Sequence, residues 1–114
     1  MSSIDCIFCK IITGLIPSPR IFEDDQFICI RDIQPQAKIH LLLIPKHHVA
    51  SLDEAFPTQG VSYSTMLARM MELSVQIARE NHLLPPGYRS VINTGKGGGQ
   101  TVFHLHLHLL SGDV

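Results

Sequence analysis

Between Val102 and Leu110 the chain reads Val-Phe-His-Leu-His-Leu-His-Leu-Leu. Side chains of a β-strand point alternately to opposite faces. A strand here puts Phe103, Leu105, Leu107 and Leu109 on one face, where they can pack under helices. Val102, His104, His106, His108 and Leu110 then lie on the other. The three imidazoles spread over about 13 Å, at about 3.4 Å of rise per residue. A solvent-facing side of a strand ordinarily carries Thr, Lys, Glu or Ser, so a strict row of histidines asks for a chemical reason. Imidazole ligates metals, moves protons near neutral pH and acts as a nucleophile. Neighbouring imidazolium ions repel one another, so the row favours partial neutrality, the form that ligation and attack both need.

The rest of the chain supplies a sheet and its cover. Apolar residues at 4, 7, 8, 11 and 12 have helical spacing and predict a helix from Ile4 to Ile12, ended by Thr13-Gly14. Arg20 to Phe22 and Phe27 to Ile30 read as a hairpin around Glu23-Asp24-Asp25. Lys38 to Ile44 is nearly all apolar and so central. A short helix is expected near Leu52, and Ser62 to Leu83 is the long one, with Met66, Leu67, Met70, Leu73, Ile77 and Ala78 in one stripe. Tyr88 to Asn93 and Val102 to Leu110 complete the strands. This order predicts an α+β fold: one mostly antiparallel sheet of about five strands, one long and one short helix, with the helices on one face.

At 114 residues with 45% hydrophobic and 17% charged side chains, the chain fits one domain, 1–114, around one core. Nine basic and ten acidic residues give a net charge of −1, which offers no footprint for a nucleic-acid backbone. The longest apolar run, Leu41 to Ile44, stops at Pro45, so no membrane span is expected. The N-terminus lacks the basic-then-apolar pattern of an export signal, which makes the cytoplasm the default location. Thiols stay reduced there, so the Cys6-x-x-Cys9 pair reads as metal ligands or chance rather than a bridge, and Cys29 as a small buried hydrophobe.

A glycine-rich loop, Asn93-Thr94-Gly95-Lys96-Gly97-Gly98-Gly99-Gln100-Thr101, enters the histidine strand. Glycines allow backbone N–H groups to approach an anion closely, although many such loops are mere connections. Beside the histidines this loop suggests a phosphate. It is not a P-loop, since no G-x-x-x-x-G-K-[ST] match is present and a strand follows. No carboxylate lies in the loop or strand, which disfavours a standard hydrolytic zinc site.

The His-Leu-His-Leu-His-Leu-Leu run resembles the motif of the histidine triad (HIT) family. The resemblance is closest to its nucleotide-binding, protein kinase C inhibitor-like (HINT) branch. Cys6-Ile7-Phe8-Cys9, Asp32-Ile33-Gln34-Pro35-Gln36-Ala37, His40, Ile44-Pro45-Lys46-His47-His48, Gly87-Tyr88-Arg89 and Gly98-Gly99-Gln100-Thr101-Val102-Phe103 all fall in that order. The resemblance implies a purine nucleoside phosphoramidate hydrolase and nucleotidyl transferase that cleaves the P–N bond of AMP- or GMP-amine adducts. It implies a homodimer that shares a continuous sheet.

Residue roles implied by the resemblance are as follows. His106 attacks the α-phosphorus through Nε2, its Nδ1 proton held by the carbonyl of His104. His108 donates to a phosphoryl oxygen or the leaving group, His40 orients the triad, and Thr101 stands near the leaving nitrogen. Asp32 accepts from the ribose hydroxyls. Asn93 and the Gly99-Gln100-Thr101 backbone hold phosphate charge. Phe8, Ile11, Ile16, Ile30, Ile33 and Leu42 line a purine slot. Cys6, Cys9, His48 and His104 form a Cys₂His₂ set suited to structural zinc, with no cofactor required for the chemistry. Activity is expected to fall in acid as His106 protonates from an ordinary pKa near 6.5. Two other readings stay open at this point: a hydrolase with catalytic zinc on His104, His106 and His108, and a nucleotide-binding adaptor with little catalysis.

Overall fold

The computed structural model describes residues 5–112. In chain order the elements are α1 (Ile7–Ile12), β1 (Phe22–Glu23), β2 (Phe27–Arg31), β3 (Ile39–Pro45), α2 (Leu52–Ala55), α3 (Ser64–Glu80), β4 (Arg89–Val91), a 3₁₀ turn (Lys96–Gly98) and β5 (Leu107–Ser111). The strands form one sheet in the order β1-β2-β3-β5-β4, every neighbouring pair antiparallel. The expected α+β class and five-stranded antiparallel sheet are thus present. Ile4, placed in the first helix by its spacing, lies outside the described residues.

Alternation sorts the sheet's two faces. Phe27, Cys29, Leu41, Leu43, Leu107 and Leu109 point to one side and pack with Met70, Leu73 and Ile77 of α3. Ile28, Ile30, Leu42 and Ile44 point to the other and pack with Phe8 and Ile11 of α1. The helices therefore cover both faces, not one as expected. Spacing along a helix shows which of its own sides is apolar but not which side of a sheet receives it. Double coverage also explains why β2 and β3 are apolar without interruption. Because α1 has only six residues, it covers part of its face and leaves the rest open.

The last strand is shorter than the alternation predicts. It begins at Leu107, and Val102 to His106 are irregular. The cause lies on the neighbouring strand. Leu43 pairs with Leu107, and continuing that register would set Leu105 opposite Pro45. Pro45 has no N–H to offer, and its carbonyl accepts from His104 Nε2 at 2.7 Å. The Leu105 amide instead donates to the Val49 carbonyl at 2.7 Å. Leu105 stays buried, but Phe103, expected under the helices, is 41% exposed.

Candidate active site and metal cluster

The uncovered part of the α1 face is a cleft of about 600 Å³. Its floor comes from β2, β3 and β5, which present Ile30, Leu42, His40 and His108. One wall is α1 with Phe8 and Ile11, continued by Ile16. The other is the entry to β5, with Asn93, Gly99, Thr101 and His106, and Asp32 stands at the end of β2. The cleft thus gathers nearly all the residues the resemblance singles out. Ile33 also lines the cleft, at its rim, where it is 93% exposed.

The triad divides. His106 and His108 line the cleft with ring centroids 4.9 Å apart, edge to face. His104 is fully buried and turned the other way. Its Nε2 donates to Pro45, and its Nδ1 lies 3.3 Å from Cys6 Sγ, 3.6 Å from Cys9 Sγ and 3.1 Å from His48 Nδ1. Cys9 Sγ is 3.4 Å from His48 Nδ1. A tetrahedron with Zn–N of about 2.05 Å and Zn–S of about 2.3 Å has edges of about 3.3 to 3.8 Å. The observed spacings match within about 0.3 Å. The donor chemistry agrees as well. His104 Nδ1 must be bare, because its proton is committed to Pro45 on Nε2, the usual way a ligating histidine is oriented. Burial holds His104 down at about 4, with His48 and His106 adding to the effect against the Pro45 hydrogen bond. Burial and Cys6 push the Cys9 thiol up to about 11, a cost that a divalent cation offsets. His48 Nε2 is buried without a partner among the described residues, so unlike His104 this ring lacks the acceptor that usually orients a ligating histidine and is held through Nδ1 alone.

His106 remains tied to this cluster by one bond: its Nδ1 donates to the His104 carbonyl at 2.7 Å. A carbonyl only accepts, so the proton is on Nδ1 and the Nε2 lone pair is free. Burial pushes the His106 pKa below its ordinary value, and nearby His40 adds to this, while the His104 carbonyl and Asp32 oppose it. Phe8 packs edge-on against the His106 ring at 5.0 Å and keeps it in place. On the cleft floor His40 Nε2 is 2.9 Å from His108 Nδ1 and 3.4 Å from Asp32 Oδ2. Asp32 Oδ1 accepts from the Gln34 amide at 2.8 Å, which fixes the carboxylate at the cleft edge.

The glycine loop does less than expected. Of Gly95, Gly97, Gly98 and Gly99, only Gly99 lines the cleft. The amides of Gly98, Gly99 and Gln100 are consumed inside the loop, by Gly95, Lys96 and Gly95 carbonyls respectively. The Gln100 side chain is buried and turned away: it donates to the Ala50 and Val102 carbonyls and accepts from the Gly95 amide. Its place is in tying the loop down. On that wall the Thr101 amide and hydroxyl make no hydrogen bond among the described residues, and the Asn93 side-chain amide gives one hydrogen to the Gly98 carbonyl at 2.8 Å and keeps the other. Gly99 needs to be glycine: its φ is +88°, and a Cβ there would sit 3.4 Å from Asn93 Nδ2. Sequence reasoning missed Ser18, Gln36 and Arg89, which also line the cleft. Gln36 contributes through its backbone, for which a sequence carries no signal.

A doubly covered antiparallel sheet with paired histidines over a nucleotide-sized cleft defines a class, and the sequence comparisons agree with it. Residues 5–114 match the family model described as "Scavenger mRNA decapping enzyme C-term binding". The chain belongs to the histidine triad (HIT) family. A HIT family hydrolase from Legionella pneumophila superposes with a TM-score of 0.87 at 43% identity, covering 96% of this chain and 95% of that one. The purine nucleoside phosphoramidase of Escherichia coli K12 is 37% identical over 108 residues, which is 95% of this chain and 87% of the relative. A Zn-bound histidine triad family protein from Mycobacterium smegmatis has a TM-score of 0.80 at 38% identity, over 97% and 77% of the two chains.

Proposed function

We propose that this protein hydrolyses purine nucleoside phosphoramidates, AMP- or GMP-amine adducts, through a covalent nucleotidyl-His106 intermediate. The observation that carries the reading is the His106 Nδ1–His104 carbonyl bond at 2.7 Å, which leaves Nε2 as an uncharged nucleophile facing the cleft. The relative named purine nucleoside phosphoramidase supports the substrate class. The nucleoside lies over Ile30 and Leu42, with Asp32 accepting from the ribose hydroxyls. His106 Nε2 bonds to the α-phosphorus as the P–N bond breaks, and the nitrogen takes one proton from solvent water in the open cleft and leaves as an amine, with Thr101 beside it. Water then attacks the same phosphorus from the vacated side, frees His106 and returns the proton borrowed in the first step. Asn93 and the Thr101 amide donate to the phosphoryl oxygens as charge builds on them.

Cys6, Cys9, His48 and His104 hold a structural zinc ion in this reading. Zinc would supply cross-linking of α1 to the sheet and no part of the reaction. A catalytic zinc on all three triad histidines is disfavoured, because His104 is buried and turned away from the cleft toward the cysteines. The protein works as a homodimer. In support, β4 has a bare outer edge among the described residues, and edges of this kind pair with a second copy. Light scattering on the eluted protein is expected to give twice the 12.7 kDa chain mass; a monomer mass removes the shared sheet.

Quenching a reaction with adenosine phosphoramidate and mapping the adduct by mass spectrometry tests the chemistry. Adenylate on His106 is expected. His106→Asn is expected to lose at least about 10⁴-fold in kcat, about 5 kcal/mol of barrier, while AMP binding persists. Label on another side chain, or single-step inversion at phosphorus, overturns the mechanism. Absence of AMP release by the unmodified protein leaves the adaptor reading.

A further inference from the structure

Cys6 and Cys9 share one turn of backbone. Cys6 caps α1 with its Sγ accepting from the Cys9 amide at 3.3 Å, and its carbonyl accepts from the Lys10 amide at 3.0 Å. A helical turn sets the Cα atoms of residues i and i+3 about 5 Å apart, inside the range of about 4.4 to 6.8 Å that a disulfide spans. The two sulfurs, with the His48 and His104 nitrogens, lie within 4.8 Å of one another. Cys6 is buried and Cys9 is only half-buried, so an oxidant in water meets Cys9 first, with Cys6 behind it as the resolving thiol.

The two ways of satisfying these sulfurs differ in what they hold together. Zinc on Cys6, Cys9, His48 and His104 joins α1 to residues 39 and 98 positions further along the chain. A Cys6–Cys9 disulfide closes a loop inside the first turn of α1 and joins it to nothing else. The other anchors of α1 are few. Phe8 and Ile11 pack on the sheet, and Arg20 Nη2 donates to the Ile11 carbonyl at 2.8 Å. Phe8 and Ile11 are also a wall of the cleft.

We propose that Cys6 and Cys9 are an oxidation site: converting them to a disulfide frees α1 from the rest of the fold and loosens the cleft wall it forms. The oxidant is a hydroperoxide, here hydrogen peroxide. The Cys9 thiolate attacks one peroxide oxygen, the O–O bond breaks, hydroxide leaves and Cys9 becomes a sulfenic acid. The Cys6 thiolate then attacks the Cys9 sulfur, forms the S–S bond and expels a second hydroxide. Two thiolates give up two electrons, the peroxide takes them, and two protons from solvent complete two waters. His48 and His104 are then too few donors to keep a structural zinc ion. His106 stays in place, because the entry to β5 is still held by His104 Nε2 on the Pro45 carbonyl and by the Leu105 amide on the Val49 carbonyl. Oxidation therefore weakens nucleotide binding and spares the turnover of bound substrate. Cys29, fully buried between the sheet and α3, takes no part. The nucleotide readout rests on the function proposed above; the thiol chemistry does not.

The test treats the zinc-loaded full chain with stoichiometric hydrogen peroxide. Peptide mapping is expected to find a Cys6–Cys9 disulfide with Cys29 still a free thiol, and a metallochromic dye to find zinc released in equal amount. Amide exchange is expected to quicken in α1 and not in α3. The Kd for AMP is expected to rise about tenfold, the shift for a wall docked about a tenth of the time. The kcat for adenosine phosphoramidate at saturation is expected to hold, and dithiothreitol with zinc to restore the affinity. Cys6→Ser with Cys9→Ser is expected to bind AMP as weakly as the oxidised chain and to ignore peroxide; a peroxide response in that variant overturns the proposal. So does a sulfinate on Cys9 in place of the disulfide, a reduced chain that takes up no zinc, or zinc release with α1 exchange unchanged. Should the reduced chain bind no AMP, the functional reading fails, while the disulfide map, zinc release and α1 exchange still decide the oxidation site.

Discussion

Asp32 closes β2 and stands where the chain turns away from the sheet, its amide still bonded to the His40 carbonyl at 2.9 Å. One oxygen is spent on the Gln34 amide and the other faces His40, yet the carboxylate lines the cleft and has lone pairs to spare. Asp32→Ala is expected to raise KM for ribonucleoside phosphoramidates about 10- to 100-fold, as expected for one or two charge-assisted hydrogen bonds. It is also expected to erase the preference for ribo- over deoxyribonucleosides. Competition with AMP and dAMP measures this, and an unchanged preference removes Asp32 from the ribose site. The acid limb of kcat/KM belongs to this scale too. Burial depresses both His106 and His108, the latter to about 4, so the rate is expected to hold below the ordinary imidazole value near 6.5. A pH–rate profile falling with a midpoint at 6.5 contradicts the desolvated geometry.

At the scale of elements, α1 is the part most in need of outside help. Six residues are too few to hold a helix unaided. Its inner side, Phe8 and Ile11, packs on the sheet, and Cys6 caps it by accepting from the Cys9 amide at 3.3 Å. The same two cysteines reach His48 and His104 across the fold. Chelation, or Cys6→Ala with Cys9→Ala, is expected to lower Tm by several degrees and to expose α1 to amide exchange before α3. Turnover is expected to survive wherever the fold does; complete loss of rate with the fold intact restores the catalytic-zinc reading. The limits of sequence reading also show here. The alternation through residues 104–110 made the buried leucines and the cleft histidines legible. It could not show that the strand starts only at Leu107, because Pro45, on another strand, cuts the pairing short. Alternation alone puts the three histidines in one row; only the family resemblance separates the first, His104, and assigns it to the cysteine cluster almost a hundred residues away in sequence. The glycine run announced a phosphate loop, but its amides bond to one another, a pairing that depends on backbone angles. The Gln36 amide that orients His40 was invisible, since every residue but proline has one.

Across the molecule, the histidines make stability depend on acid in a definite direction. A histidine buried in its neutral form has a lower pKa folded than unfolded, so the unfolded chain binds more protons between the two values, and stability rises with pH through that window. For His104 and His108 the window runs from about 4 to the unperturbed value near 6.5. Denaturant midpoints are expected to be flat above about pH 7 and to fall steadily below it. A chain equally stable at pH 5 and pH 7 contradicts their burial in the neutral form. No described helix is long and apolar enough to cross a membrane, and the packing is organised around one sheet, with α3 behind it and α1 in front. The brevity of α1 has a price that any lineage reshaping the binding site must meet. Ile30 and Leu42 are at once part of the cleft floor, the base for a nucleoside in the proposed reading, and part of the interior that seats the front helix. Carving room for a bulkier guest there removes the same methyl groups that keep the protein folded, so selectivity and robustness cannot drift independently on that surface. Variation is cheap only along the rim, around Ile33 and Arg31, where side chains already stand in water.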